Sequence, residues 1–152
     1  MIVSEIMTTD VSVTPPAANL DTAIHLMMER ECGFLPVVDT RSRLVGVVTD
    51  RDICFAIASH RRTPAHILVE EAMKHPVVTC SSDDLVSSAL KTMRQHRIRR
   101  LPVLNKLGHM QGVLSMDDVV ASRDRNGAPA SEEILSALHA TYPRRSLQLA
   151  PE

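Results

Sequence analysis

The chain of 152 residues carries 17 Lys and Arg against 18 Asp and Glu, so its net charge of −1 offers no field to steer nucleic acid or an anionic membrane. Hydrophobic residues at 44% suffice for one compact module and argue against disorder, although only 2% are aromatic. Cys32, Cys54 and Cys80 form no C-x-x-C pair, which excludes a disulfide framework and suits a reducing compartment.

From the start of the chain, Glu5 and Asp10 interrupt any apolar run that could serve as a signal peptide. No later stretch approaches the ~20 apolar residues of a membrane helix. A cytoplasmic location is expected. A first strand should end at Pro15-Pro16. Leu20, Ala23, Ile24 and Met27 then recur at i, i+3, i+4 and i+7, one face of a helix. Leu35-Pro36-Val37-Val38 reads as a strand whose early N–H is unpaired, and Leu44-Val45-Gly46-Val47-Val48 as the next, with a polar turn at 39–43. A loop at Asp50 should open a helix bearing Ile53, Ala56 and Ile57. Residues 59–67, with Pro64, read as a polar linker.

The same pattern then starts again. Residues 3–53, moved by 66 positions, fall on 69–119 without a gap. Twelve positions are identical, among them Met7 and Met73, Ala23 and Ala89, Leu35 and Leu101, Gly46 and Gly112, Asp52 and Asp118. So many identities in register mean duplication. A unit this small buries its apolar face poorly alone, so the copies should pack on each other. In the second copy Ser82-Asp83-Asp84 is expected to cap the helix of Val86, Ala89, Leu90 and Met93. After residue 124, Asn126-Gly127 and Pro129 read as a turn, and Ser131 as the N-cap of a short helix carrying Ile134, Leu135 and Leu138. Pro143 should end that helix, with a frayed tail beyond.

The ends of the third strands carry the chemistry. Gly46-Val47-Val48-Thr49-Asp50-Arg51-Asp52 and Gly112-Val113-Leu114-Ser115-Met116-Asp117-Asp118 share the pattern Gly, two apolar residues, Thr or Ser, two variable residues, Asp. At each, a strand ends and a helix begins, so helix N–H groups favour an anion such as phosphate. The hydroxyl of Thr49 or Ser115 adds a donor. Asp52 or Asp118, one turn in, can accept from both vicinal hydroxyls of a ribose. The glycine would let backbone approach the ligand closely. Taken singly, each motif also reads as a helix capping box.

These repeats resemble the CBS domain (the cystathionine-β-synthase domain), and the tandem resembles a CBS pair, or Bateman module. The likeness rests on the two heptapeptides, on Ile6-Met7-Thr8 and Ala72-Met73-Lys74 leading each unit, and on Leu-Pro-Val at 35–37 and 101–103. It implies an α/β fold of two βαββα repeats about a pseudo-twofold axis: repeat one at 1–58, linker at 59–67 and repeat two at 68–122; the C-terminal extension with its short helix, at 123–152, lies outside the resemblance. It implies an adenosine-containing regulatory ligand (AMP, ADP, ATP, NAD or S-adenosylmethionine), with no obligatory cofactor. Adenine would lie against the first strands, around Val11 and Val13 and around Val77 and Thr79. With aromatics so few, aliphatic packing should recognise it. Arg51 in copy one, where the second has Asp117, and Arg99 in copy two are the expected phosphate contacts; the two clefts lie between the copies, so each can borrow residues from the other. A disc-shaped homodimer should bury the helices carrying Ile53 and Val119, and the signal should pass to a separate effector protein.

Other functions find less support. The basic run at 94–100 lacks the aromatic interleaving and net charge of a nucleic-acid site, and reads as a solvated helix end with ligand contacts. Seven scattered histidines show no zinc-site spacing with cysteine, so no metal is expected. No nucleophile turn, Walker loop or G-x-G-x-x-G appears, and no enzymatic activity is expected. A protein-interaction module that binds no nucleotide is the first alternative, and a nucleic-acid binder using residues 94–100 the second.

Overall fold

In the computed structural model, which describes residues 1–142, the duplication is repeated in space. The first copy contributes α1 (Leu20–Glu29), β1 (Phe34–Val38), β2 (Leu44–Thr49) and α2 (Asp50–His60). The second contributes α3 (Val69–Ala72), β3 (Cys80–Ser81), α4 (Val86–His96), β4 (Arg100–Leu104), β5 (Met110–Ser115) and α5 (Met116–Ala121), and α6 (Ser131–Thr141) follows. This is the expected α/β pair with a short C-terminal helix.

The helices bury the stripes their periodicity predicts. Leu20, Ala23 and Met27 of α1 are buried, as are Val86, Ala89, Leu90 and Met93 of α4. Both helices end before a non-glycine residue in the left-handed region, Glu31 and its twin Arg97. Each copy then forms an antiparallel hairpin with the register shift at the same place, after Val37 and after Val103. The turns match too. Asp39 Oδ1 accepts from the N–H groups of Arg41 and Arg43, and Asn105 Oδ1 from those of Leu107 and His109, all at 2.9–3.0 Å.

Several local expectations fail. Asn19, which the sequence pattern did not mark, caps α1, its Oδ1 accepting from Thr22 N–H at 2.9 Å. Ser82-Asp83-Asp84 does not cap α4, whose N-cap Leu85 makes no side-chain bond. The nearby oxygens turn back instead: Asp84 Oδ2 accepts from Ser81 N–H at 2.8 Å. Ser131 is the first residue of α6, behind an uncapped Ala130. No loop intervenes at Asp50 or Met116, since Thr49 and Ser115 end their strands and cap the next helix at once. The Asn126–Pro129 turn is present, with Gly127 at φ +76°. Pro143 and the tail lie outside the described residues.

The leading strands are much shorter than expected. In copy two only Cys80–Ser81 pairs, parallel to β4, and in copy one a single bridge joins Thr14 to Val37. The hydrogen bonds of these lead-in segments go elsewhere, because every buried backbone group needs a partner. Thr8 pairs with Val113 of the other copy, and Lys74 with Val47. The cores are exchanged likewise. Val3 is fully buried among Leu90, Leu101 and Leu114 of copy two, while Ile67 and Val69 are fully buried among Leu20, Leu35 and Val48 of copy one. The polar linker thus ends in a core residue, and each copy's hydrophobic core is completed by the head of the other.

The helix faces differ between copies. Ile134 and Ala137 of α6 join the copy-two core beside Val119, which is fully buried. Ile53 is buried as well, so neither residue itself lies on an exposed face. What stays open in copy one is a groove of about 500 Å³ between α1 and α2, lined by Ile24, Met28, Cys54 and Ile57.

Two clefts between the copies

Each β-strand-to-helix junction is built as a reciprocal cap. Thr49 Oγ1 accepts from Asp52 N–H at 3.2 Å, and Asp52 Oδ2 accepts from Thr49 N–H at 3.1 Å and from the Thr49 hydroxyl at 2.6 Å. Ser115 Oγ accepts from Asp118 N–H at 3.1 Å, and Asp118 Oδ2 accepts from Ser115 N–H at 2.7 Å and from the Ser115 hydroxyl at 2.6 Å. Capping therefore engages one carboxylate oxygen of each Asp and leaves Oδ1 for other work.

The other oxygens meet different partners, each from the opposite copy. Lys74 Nζ lies 2.7 Å from Asp52 Oδ1, with the Lys side chain 71% exposed and the Asp side chain 5%. Burial works to raise the Asp52 carboxyl, but the Lys74 ammonium and the Thr49 donors outweigh it and hold its pKa below the usual carboxylate value. At the twin site the Thr8 hydroxyl donates to Asp118 Oδ1 at 3.3 Å. Thr8 and Lys74 are themselves twins.

Around each junction lies a cleft. The Asp52 cleft, about 580 Å³, has walls from Pro76, Val77 and Val78 of copy two and from residues 97–100. The Asp118 cleft, about 380 Å³, has walls from Thr8, Asp10, Val11 and Ser12 of copy one and from Arg30. Both fall within the roughly 300–1,000 Å³ of small-molecule pockets. Phe34 and its twin Arg100 line both clefts, with the guanidinium 5.8 Å from the ring centroid, so this pair stands where the clefts meet.

The expected site residues distribute as follows. Thr49, Asp52 and Arg51 line the first cleft with Val77; Ser115 and Asp118 line the second with Val11. Each capped carboxylate thus faces the other copy's first segment. Val13 and Thr79 line neither cleft, and Ser12 and Val78 stand there instead. Arg99 lies not with Ser115 and Asp118 but in the Asp52 cleft beside Arg51. The basic run therefore turns Arg97, Arg99 and Arg100 into a cleft rather than onto a flat outer face.

Residues that sequence reasoning missed are Lys74, Thr8, Phe34 and Tyr142. The first two sit in the leading triplets, where their twin positions were the available signal. Aromatics do reach the clefts: Tyr142 lines the Asp52 cleft beside Phe34, its ring 4.5 Å from the Arg99 guanidinium carbon. Nothing in the repeat pattern points to Tyr142, which follows α6 and has no twin. Cys32 lines the Asp118 cleft, whereas Cys80 lies in the copy-two core, its thiol pushed up to about 12 by burial and by Asp84.

Comparison with known proteins places this geometry in a family. The CBS domain family model matches residues 3–59 and again 69–124. A CBS domain protein of Thermoplasma acidophilum superimposes over 99% of this chain and 82% of its own, with a TM-score of 0.80 at 19% identity. The structure of CBSX2 in complex with AMP aligns over 80% of this chain and 94% of its own, with a TM-score of 0.69 at 27% identity. A homoserine O-acetyltransferase of Methanohalophilus mahii is 31% identical over 80% of this chain, which spans only 24% of that enzyme.

Proposed function

The chain belongs to the CBS-domain family, as two copies in tandem, and we propose that it is a regulatory module whose clefts bind adenosine-containing ligands. The observation that carries this reading is the pair of capped carboxylates. Asp52 and Asp118 stand at twin positions, each inside a cleft of small-molecule size, each with one oxygen not used by its cap. That oxygen can accept from a ribose hydroxyl, a charge-assisted bond of roughly 1.5–3 kcal/mol. Val77, Val78 and Phe34 offer an apolar surface for adenine in the Asp52 cleft. Arg51, Arg97 and Arg99 offer cations for a phosphate there. The AMP complex of CBSX2 supports the choice of adenosine. Because both clefts lie between the copies, a ligand contacts both and shifts their relative placement, which a separate effector protein reads. Acyl transfer is not carried over from the acetyltransferase, which shares only this region.

A thermal-shift screen with AMP, ADP, ATP, NAD, S-adenosylmethionine, cyclic di-AMP and GTP at ~1 mM tests the reading. Ligand at about 100 times its dissociation constant adds about 2.7 kcal/mol, which raises Tm by roughly 5–10 °C for a chain of this size. We expect a shift with at least one adenosine ligand and none with GTP. No shift with any of them returns the chain to the class of interaction modules without a nucleotide.

We also propose a homodimer. The α1–α2 groove is apolar and open, and Met28 on its wall is 69% exposed. Sizing by light scattering at micromolar concentration should return twice the 16.8 kDa of one chain. Met28→Asp combined with Ile57→Asp should return a monomer. A wild-type monomer rejects the dimer.

A further inference from the structure

The two clefts are built on the same backbone but carry opposite charge. The Asp52 cleft is lined by five cations and two carboxylates. The Asp118 cleft is lined by three carboxylates and two cations, and one of those, Arg30, already faces Asp10 at 3.7 Å. The reversal comes from twin positions. Where the first cleft has Arg51 and Lys74, the duplication places Asp117 and Thr8 in the second, and Arg99 has no charged twin, its counterpart being Gly33.

Resting on the adenosine reading above, we propose that the clefts sort ligands by charge: the Asp52 cleft requires a phosphorylated adenosine, and the Asp118 cleft takes an adenosine whose 5′ substituent carries no negative charge. The mechanism is an exchange of partners at Lys74. A ribose hydroxyl at Asp52 Oδ1 competes with the ammonium 2.7 Å away and weakens or breaks that ion pair. A neutral nucleoside gives nothing in return for that lost ion pair. A phosphate does, because Lys74 is mostly exposed, can swing on its flexible stem, and then joins Arg51 and Arg99 around the new anion. At Asp118 the partner to be displaced is an uncharged hydroxyl held at a long 3.3 Å, so a ribose replaces it without stranding a charge. A phosphate entering there meets Asp117, whose like charge opposes it.

The test uses AMP and adenosine as probes, with readouts that separate the clefts. Tyr142 lines only the Asp52 cleft and is the chain's single tyrosine, with no tryptophan present, so its emission reports that cleft. Calorimetry reports total binding. In the wild type, AMP should change Tyr142 emission and adenosine should not. Adenosine should still bind at one site per chain, and Asp118→Asn should remove that site. Lys74→Thr should weaken AMP at the Asp52 cleft by about 10- to 100-fold and bring adenosine close to AMP there. Thr8→Lys should confer a preference for AMP on the Asp118 cleft. Both side chains are exposed and their backbone pairing is untouched, so the variants should fold. Equal response of Tyr142 to AMP and adenosine, in the wild type and in Lys74→Thr alike, overturns the sorting while leaving the adenosine reading intact. Absence of any binding by either probe overturns the adenosine reading and this inference with it.

Discussion

Asp52→Ala combined with Asp118→Ala should abolish stabilisation by every adenosine ligand that protects the wild type. On the proposed reading each carboxylate accepts from ribose hydroxyls, and losing one to two charge-assisted bonds weakens binding by at least about 10-fold and up to about 10⁴-fold per cleft. The same substitutions also remove half of each capping box. Asp52 Oδ2 holds the N–H and hydroxyl of Thr49, and Asp118 Oδ2 those of Ser115. Roughly 1–2 kcal/mol of ligand-free stability should go with each site, about 2–8 °C in Tm. The two losses must be told apart. Asn in place of each Asp keeps the shape and one acceptor oxygen but removes the charge. If the ribose reading is right, the double Asn variant retains most of the ligand-free stability and still loses ligand protection. A double Asn variant protected as well as the wild type would leave Asp52 and Asp118 as caps alone.

The helices and hairpins were legible because their signals are local. The stripe Leu20, Ala23, Met27 needs only a helical period, and the polar stretches at 39–43 and 105–109 need only a side chain that folds back on its own turn. The leading strands were not legible, because their fate depends on a distant partner. An apolar extended segment such as 11–13 pairs with whatever edge is nearest, and here residues 8 and 74 find the opposite copy first. For the same reason the clefts were half legible. The motif marks Thr49 and Asp52, but not that Lys74, 22 positions on, is the cation that reaches Asp52. Arg99 could be read as a cation for a phosphate, and borrowing between the copies was open to it, but the sequence alone does not say that it joins Arg51 at copy one's carboxylate. Tyr142 lies outside the repeat, where the duplication has no reading to offer.

Gly46 and Gly112 look like positions that let backbone approach a ligand, and they do permit a close approach, but to the other copy. A Cβ at Gly112 would overlap the Thr8 carbonyl oxygen, whereas at Gly46 it would first meet the Met73 sulfur, with the Lys74 carbonyl oxygen, the twin of Thr8's, 3.3 Å away. The duplication therefore conserves glycine for assembly of the pair, and the clefts inherit their shape from that contact. Clefts and inter-copy interface are one structure, so on the proposed reading a ligand that presses on the cleft walls presses on the pairing of the copies.

Because of that coupling, Gly112→Ala should cost far more than Gly46→Ala. At Gly112 the obstacle is backbone. Thr8 and Val113 exchange two hydrogen bonds there, at 2.9 and 3.0 Å, and the new methyl can be admitted only by separating the two chains. Overpacking of this kind costs roughly 1–3 kcal/mol, a fall of about 2–12 °C in Tm. At Gly46 the nearest atoms belong to the flexible Met73 side chain, which can swing aside, so a loss below about 1 kcal/mol is expected. The lead-in of copy one carries Thr8, which donates to Asp118, so Gly112→Ala should also weaken ligand in the Asp118 cleft more than in the Asp52 cleft. Urea unfolding of both variants gives the stabilities, and Tyr142 emission against calorimetry gives the clefts. Equal losses at the two glycines would mean that the lead-in segments yield readily, and that the copies are not held together by the Thr8–Val113 and Val47–Lys74 pairings.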